Sequence, residues 1–276
     1  MLHVRRVVRC QTLTVKRLHM KTALTIAGSD PCAGAGIQAD LKTFQAHGIY
    51  GLSVITAVTV QNTQKVYDVQ KIRPEIVYGQ IICLLEDMEI HAVKIGMIPD
   101  TAVTEAIADA LRSVSCPIIL DPVMISTSGF RLMSLDAQQA VIKKLFPLLY
   151  ALTPNIPEAE FLCGEKIENA EQMKTAARKI LESGVKRVVI KGGHLNSDTA
   201  TDLAWDGTEF MEFSSLKIKG KEVHGTGCTF SSALAANLAL GGDFFASAAH
   251  ARNYTQKCIR EALVLGKGSG LPQHSE

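Results

Sequence analysis

Apolar and polar positions alternate between two periods along most of this chain. Thr22-Ala23-Leu24-Thr25-Ile26-Ala27 and Ser53-Val54-Ile55-Thr56-Ala57-Val58-Thr59-Val60 are β-branched, nearly apolar runs, as strands covered on both faces require. Ala92-Val93-Lys94-Ile95-Gly96, Pro117-Ile118-Ile119-Leu120-Asp121-Pro122, Leu149–Thr153 and Val185–Lys191 repeat that signal. Between them, Glu75–Met88, Thr101–Val114, Asp136–Phe146 and Glu171–Ser183 show helical spacing, with Pro74 suited to a first turn and Gly184 to a stop. This alternation predicts an α/β fold with a central, mostly parallel sheet flanked by helices on both faces.

After Gly192 the pattern changes. Thr201–Trp205 and Glu209–Phe213 flank Asp206-Gly207, which predicts a hairpin and an antiparallel edge. Thr229–Leu240 and Phe244–Leu265 read as two closing helices, and Gly266-Lys267-Gly268-Ser269-Gly270 as a flexible tail. No low-complexity linker divides 20–265, so residues 20–276 are expected to form one domain. Residues 1–19 carry five of the 29 basic residues and no acid; they read as an N-terminal extension, disordered and outside the fold.

Composition narrows the class. A net charge of +2 gives no reason to expect nucleic acid, and the apolar runs are broken well short of a membrane span. Seven scattered Cys without CxxC spacing suit reduced thiols in a cytoplasmic protein better than a disulfide frame or a zinc site.

Polar motifs recur where strands end: Gly28-Ser29-Asp30, Gln61-Asn62, Gly96-Met97, Asp121, Asn155 and Lys191. In doubly wound sheets, ligands bind beyond those carboxyl ends. Gly34 and Gly36 mimic a dinucleotide turn but lie too far past the strand for one; small residues there let backbone approach a flat substrate. Gln61 can donate to and accept from an aminopyrimidine edge. Asn155-Ile156-Pro157-Glu158-Ala159-Glu160 offers carboxylates for Mg2+, with Glu158 and Glu160 not separable by spacing. Lys191 can meet a nucleotide phosphate. His194 and His224 stand isolated in the sequence. Gly225-Thr226-Gly227-Cys228 runs into a small-residue helix, which makes an anion site with a thiol at the positive end of the helix dipole, where thiolate is favoured. Walker-type, His-Glu-x-x-His and Gly-x-Ser-x-Gly runs are absent.

Taken in order, these motifs resemble the ribokinase-like family of small-molecule kinases and, within it, the hydroxymethylpyrimidine/phosphomethylpyrimidine kinases of thiamine biosynthesis. The resemblance covers residue 21 to about 265. It implies transfer of the ATP γ-phosphate to 4-amino-5-hydroxymethyl-2-methylpyrimidine and then to its monophosphate, with ATP and Mg2+ as cofactors. It implies that Cys228, Gly225 and Gly227 serve catalysis; Gln61, Gly28, Asp40 and Met97 the pyrimidine; Asp121, Lys191 and Thr226 the nucleotide; and Glu158 and Asn155 the metal. Ser126-Thr127-Ser128-Gly129 match a flap over the reacting groups. The expected partners are the small-molecule pyrimidine and a second copy of the chain in a homo-oligomer, a dimer, without nucleic acid or membrane. A pyridoxal kinase of the same fold and a non-catalytic pyrimidine-binding regulator are the competing readings.

Overall fold

Strand residues of opposite parity enter two separate cores, and this fixes the architecture. In β1 (Thr22–Ser29), Leu24 and Ile26 pack into one apolar cluster while Ala23 joins another. The same split recurs in β4 (Ala92–Ile95), β5 (Ile118–Leu120), β6 (Ala151–Leu152) and β7 (Val188–Ile190), where Ala92, Ile119, Ala151 and Val189 face the second cluster. A sheet covered on both sides needs apolar residues at both parities, which is why these strands read as continuous hydrophobic runs. The computed structural model describes residues 20–124, 133–194, 198–218, 220 and 222–275.

The first cluster lies under α2 (Pro74–Asp87), α3 (Thr101–Leu111), α4 (Leu135–Lys144), α5 (Ile156–Cys163) and α6 (Ala170–Glu182). The second lies under α1 (Gly36–Ala46), α7 (Thr226–Ala239) and α8 (Phe244–Arg260). The remaining strands are β2 (Tyr50–Gln61), β3 (Val66–Lys71), β8 (Thr199–Trp205) and β9 (Phe210–Leu216). The nine strands run in the order β3-β2-β1-β4-β5-β6-β7-β8-β9. Strands β2 through β7 of that order are parallel, and β3, β8 and β9 each pair antiparallel. The chain leaves β1 toward β2 and later returns to its other side as β4. The exit of β1 is therefore a switch point, where a crevice opens above the sheet.

The hairpin expected around Asp206-Gly207 is present, whereas other segments differ from the sequence expectation. Residues 66–71 form an extra edge strand, half polar and exposed, so neither period betrays it. Helix α7 begins at Thr226, with Gly225 as its N-cap in the left-handed region at φ +85°, so the glycine run is helical in spite of poor propensity. The hairpin β8–β9 closes through Asp206–Glu209, with the Asp206 carboxylate accepting the N–H groups of Thr208 and Glu209. The tail is packed: the N–H of Ser269 donates to the Thr63 carbonyl at 3.0 Å, and that of His224 to the Gly270 carbonyl at 2.9 Å. A Cβ on Gly268 would lie 2.0 Å from the Thr63 carbonyl oxygen, so those glycines serve close contact and not flexibility. Residues 1–19 lie outside the described residues.

Candidate active site

The loop leaving β1 is folded around one carboxylate. Asp30, buried at 3% exposure, accepts the N–H groups of Cys32, Gly34 and Ala35 at 3.0, 3.1 and 2.9 Å and the Cys32 thiol at 3.0 Å. This set holds Ala33 in the left-handed region at φ +59°, which a non-glycine residue adopts only when its surroundings impose it. Burial raises the Asp30 carboxyl, but the bonds from His224, Cys32 and Ala35 outweigh it and bring it down to about 2.

His224 Nε2 lies 3.1 Å from Asp30 Oδ2 and 2.8 Å from the Gln61 amide nitrogen, and the Thr59 hydroxyl donates to Gln61 Oε1 at 3.3 Å. The fold thus joins Gln61 to Asp30 through a histidine that stands alone in the sequence. Gly28 and Met97 are in contact beside them: a Cβ on Gly28 would come within 2.9 Å of Met97 Sδ.

Asp40, expected at the pyrimidine, is 0% exposed on α1. Its oxygens accept from Lys94 Nζ at 2.8 and 2.9 Å, from Thr25 at 2.6 Å and from Ser232 of α7 at 2.6 Å. Burial pulls the Lys94 ammonium down, but Asp40 against it holds it well above the ordinary lysine range.

A second polar group sits at the exits of β5, β6 and β7. Lys191 Nζ donates to Asp121 Oδ1 at 2.7 Å, and the Thr153 hydroxyl to the same oxygen at 3.2 Å. Asn155 caps α5 and forms a reciprocal capping box with Glu158, with bonds of 2.9 and 2.8 Å. Burial and the neighbouring Asp121 push the Glu158 carboxyl up to about 7, against the pull of Lys191. The structure separates the two glutamates: Glu160 faces away and takes the Lys166 ammonium and the Ile167 N–H.

The first turn of α7 closes the space between these groups. A Cβ on Gly225 would lie 1.8 Å from the Gly34 carbonyl oxygen, so this turn rests directly on the β1 loop. A Cβ on Gly227 would lie 3.0 Å from Asp121 Oδ2 and 3.2 Å from Lys191 Nζ. The N–H groups of Thr226, Gly227 and Cys228 have no helical acceptor four residues back and no side-chain cap among the described residues. Such a terminus can hold an anion, and glycines stand at its points of closest approach. Cys228 departs from the thiolate expectation. Burial pushes its thiol up to about 11, and the opposing pull of Lys94 and of the Gly36 N–H does not overcome it.

A cavity of about 510 Å³ lies to one side of this arrangement, lined by Thr63, Glu222, Val223, Lys267 and Gly270, and does not contain the Asp121–Lys191 group. The flap expected at Ser126-Thr127-Ser128-Gly129 and the side chain of His194 lie outside the described residues. Sequence reasoning missed Asp30 as the hub of the loop and His224 as its link to Gln61. The signal for the first was an Asp followed by Pro and three small residues, which suits a side chain that caps its own turn.

Residues 30–273 match the model of a family described as phosphomethylpyrimidine kinase. The chain is 43% identical over 247 residues to a hydroxymethylpyrimidine/phosphomethylpyrimidine kinase of Aquifex aeolicus, covering 89% of this chain and 97% of that protein. The crystal structure of phosphomethylpyrimidine kinase from Clostridium difficile superposes with a TM-score of 0.78 at 42% identity, over 87% of this chain and 99% of that one. The pyridoxal kinase of Staphylococcus aureus, solved with pyridoxal, superposes with a TM-score of 0.85 at 32% identity, over 92% and 93% of the two chains.

Proposed function

Because the chain belongs to the phosphomethylpyrimidine kinase family, we propose that it is an ATP-dependent kinase that acts twice on one ring. It phosphorylates the hydroxymethyl group of 4-amino-5-hydroxymethyl-2-methylpyrimidine and then the monophosphate formed, giving the pyrophosphate used for thiamine. The observation that carries this reading is the double contact of the α7 turn. Gly225 touches the loop that leads to Gln61, and Gly227 touches the Asp121–Lys191 pair, so one anion cradle faces both an acceptor side and a donor side.

The residues divide the work accordingly. Gln61, Gly28 and Met97 receive the flat pyrimidine, the amide of Gln61 pairing with its aminopyrimidine edge. The N–H groups of Thr226, Gly227 and Cys228 hold the oxygens of the transferring phosphoryl group, and Lys191 meets the nucleotide phosphates as a point charge. Cys228 stands in the same turn and, as thiolate, takes the hydroxymethyl proton. Most of the acceleration then comes from positioning and from charge stabilisation, since little covalent chemistry falls to the protein.

Glu158 with Asn155 fits Mg2+: a buried carboxylate whose charge is resisted by burial and by Asp121 is relieved by a divalent cation. Bound there, the ion would neutralise phosphate charge. Residues 20–276 are read as one ribokinase-like domain. None of the helices among the described residues is long and apolar enough to cross a membrane. A cytoplasmic location and a homodimer complete the reading.

The test is turnover with ATP-Mg2+ of the hydroxymethylpyrimidine, of its monophosphate and of pyridoxal. The expected order places both pyrimidines above pyridoxal in kcat/KM. Turnover of pyridoxal alone would overturn the assignment. The superposition on a pyridoxal kinase at a TM-score of 0.85 keeps that substrate as the second reading.

A further inference from the structure

Among the described residues, one carboxylate oxygen of Asp30, the Cys32 sulfur and one ring nitrogen of His224 all lie within 4.8 Å of one another. Sequence spacing hides this trio, because two members are neighbours in the β1 loop and the third stands just before α7. We propose that Asp30, Cys32 and His224 form a site for a thiophilic divalent ion of the zinc class, and that the ion disables the kinase by drawing His224 away from Gln61.

The donor set argues for that ion. Thiolate, imidazole and carboxylate are the zinc ligands, whereas Mg2+ prefers oxygen alone and does not compete here. Tetrahedral bonds of about 2.0–2.3 Å place ligand atoms roughly 3.3–3.8 Å apart. Cys32 Sγ lies 3.0 Å from Asp30 Oδ1, and His224 Nε2 lies 3.1 Å from Asp30 Oδ2, so small side-chain rotations open the trio to that spacing. Charge argues for it as well. Asp30 and a Cys32 thiolate balance a dication, so the half-buried site becomes neutral on binding. Binding converts the Cys32 S–H to an S–metal bond and releases one proton to water; His224 binds as the neutral imidazole.

His224 Nε2 has two partners that it cannot serve with one proton. It either donates to the Asp30 carboxylate or accepts from the Gln61 amide. A metal at the trio takes that lone pair, so Nε2 neither donates to Asp30 nor accepts from Gln61, and Asp30 and His224 are joined through the ion instead. Gln61 then loses one of the two partners that orient its amide and keeps the longer bond from the Thr59 hydroxyl. This inhibitory step rests on the reading of Gln61 as the pyrimidine contact, whereas the metal site does not.

The experiment uses the full chain and Co2+ as a spectroscopic substitute for Zn2+. Wild-type protein is expected to take one equivalent with a thiolate-to-cobalt band in the near ultraviolet. Cys32→Ser keeps a hydroxyl that can donate to Asp30, should melt like wild type and should lose the band. Cys228→Ala should keep it. A band that persists in Cys32→Ser, or no stoichiometric binding at all, overturns the site. In the kinase assay, micromolar Zn2+ is expected to raise the pyrimidine KM at least tenfold in wild type and to leave Cys32→Ser, active without zinc, unaffected. A band without that difference upholds the metal site and overturns the link through Gln61.

Discussion

Lys94 and Asp40 form a fully buried ion pair one helical turn below Cys228, with Lys94 Nζ 2.8 and 2.9 Å from the two carboxylate oxygens. Ser232, four residues beyond Cys228 in α7, donates to the same carboxylate at 2.6 Å, so the pair ties α1, β4 and α7 together. Removing one partner of such a pair leaves a buried charge uncompensated and costs about 3–5 kcal/mol, while replacing both by apolar groups can be nearly neutral. Asp40→Ala should therefore lose about that much in urea unfolding. The double variant Asp40→Ala/Lys94→Met should recover most of it. If Asp40→Ala kept its stability and raised only the pyrimidine KM, Asp40 would be a substrate contact and not a structural one.

The thiol of Cys228, pushed up to about 11, is almost wholly protonated at neutral pH. A base of that kind acts through a small thiolate fraction that grows tenfold per pH unit. The kcat of wild type should therefore rise with pH through the alkaline range, and iodoacetamide should label Cys228 slowly at pH 7. Cys228→Ala should remove the rise and lower kcat by about 10²–10⁴-fold, the usual worth of general-base assistance, with an unchanged melting temperature. A flat profile in wild type, or full turnover in the variant, would leave the reaction to the cradle alone.

Glu158 carries a carboxyl raised from 4.5 to about 7. Below pH 4.5 it is protonated in both the folded and the unfolded chain. As pH rises toward about 7 the unfolded chain loses the proton first, so the folded state loses stability across that window and is flat above it. The stability of wild type relative to Glu158→Gln should therefore fall between pH 4.5 and 7 in the absence of nucleotide. The same substitution should sharply raise the Mg2+ concentration needed for half-maximal turnover, since the amide lacks the charge that the ion would neutralise. Parallel stability curves for the two proteins would contradict the raised carboxyl.

The parallel strands were legible because each carries apolar residues at both parities, and Asp121, Asn155 and Lys191 were legible because each ends such a strand. What the chain does not announce is contact between distant segments. The tail glycines carry the same composition as a linker, and only the approach of Thr63 turns Gly268 into a packing residue. Asp40 sits in a motif of apparent function, yet its position on α1 aims it inward at Lys94, 54 residues away. The start of α7 was misplaced because glycine propensity argues against a helix that its packing on Gly34 imposes.

Asp202 supports the proposed donor side of the site, beyond anything the motifs suggested. Its Oδ1 accepts the Gly192 N–H at 2.9 Å, immediately after Lys191, and its Oδ2 pairs with buried Arg252 of α8. A Cβ on Gly192 would lie 1.8 Å from the Thr201 carbonyl oxygen, so the turn that aims Lys191 is fixed from both sides. Asp202 is a positioning residue: it touches neither phosphate nor metal in the proposed arrangement, and it acts through the backbone that carries Lys191. Asp202→Asn should cost about 3–5 kcal/mol by leaving Arg252 without a counter-charge. Below its unfolding temperature, the variant should show a several-fold higher KM for ATP with the KM for the pyrimidine unchanged. Equal rises in both constants would indicate general loosening of the fold, and the specific tie to Lys191 would be lost as an explanation.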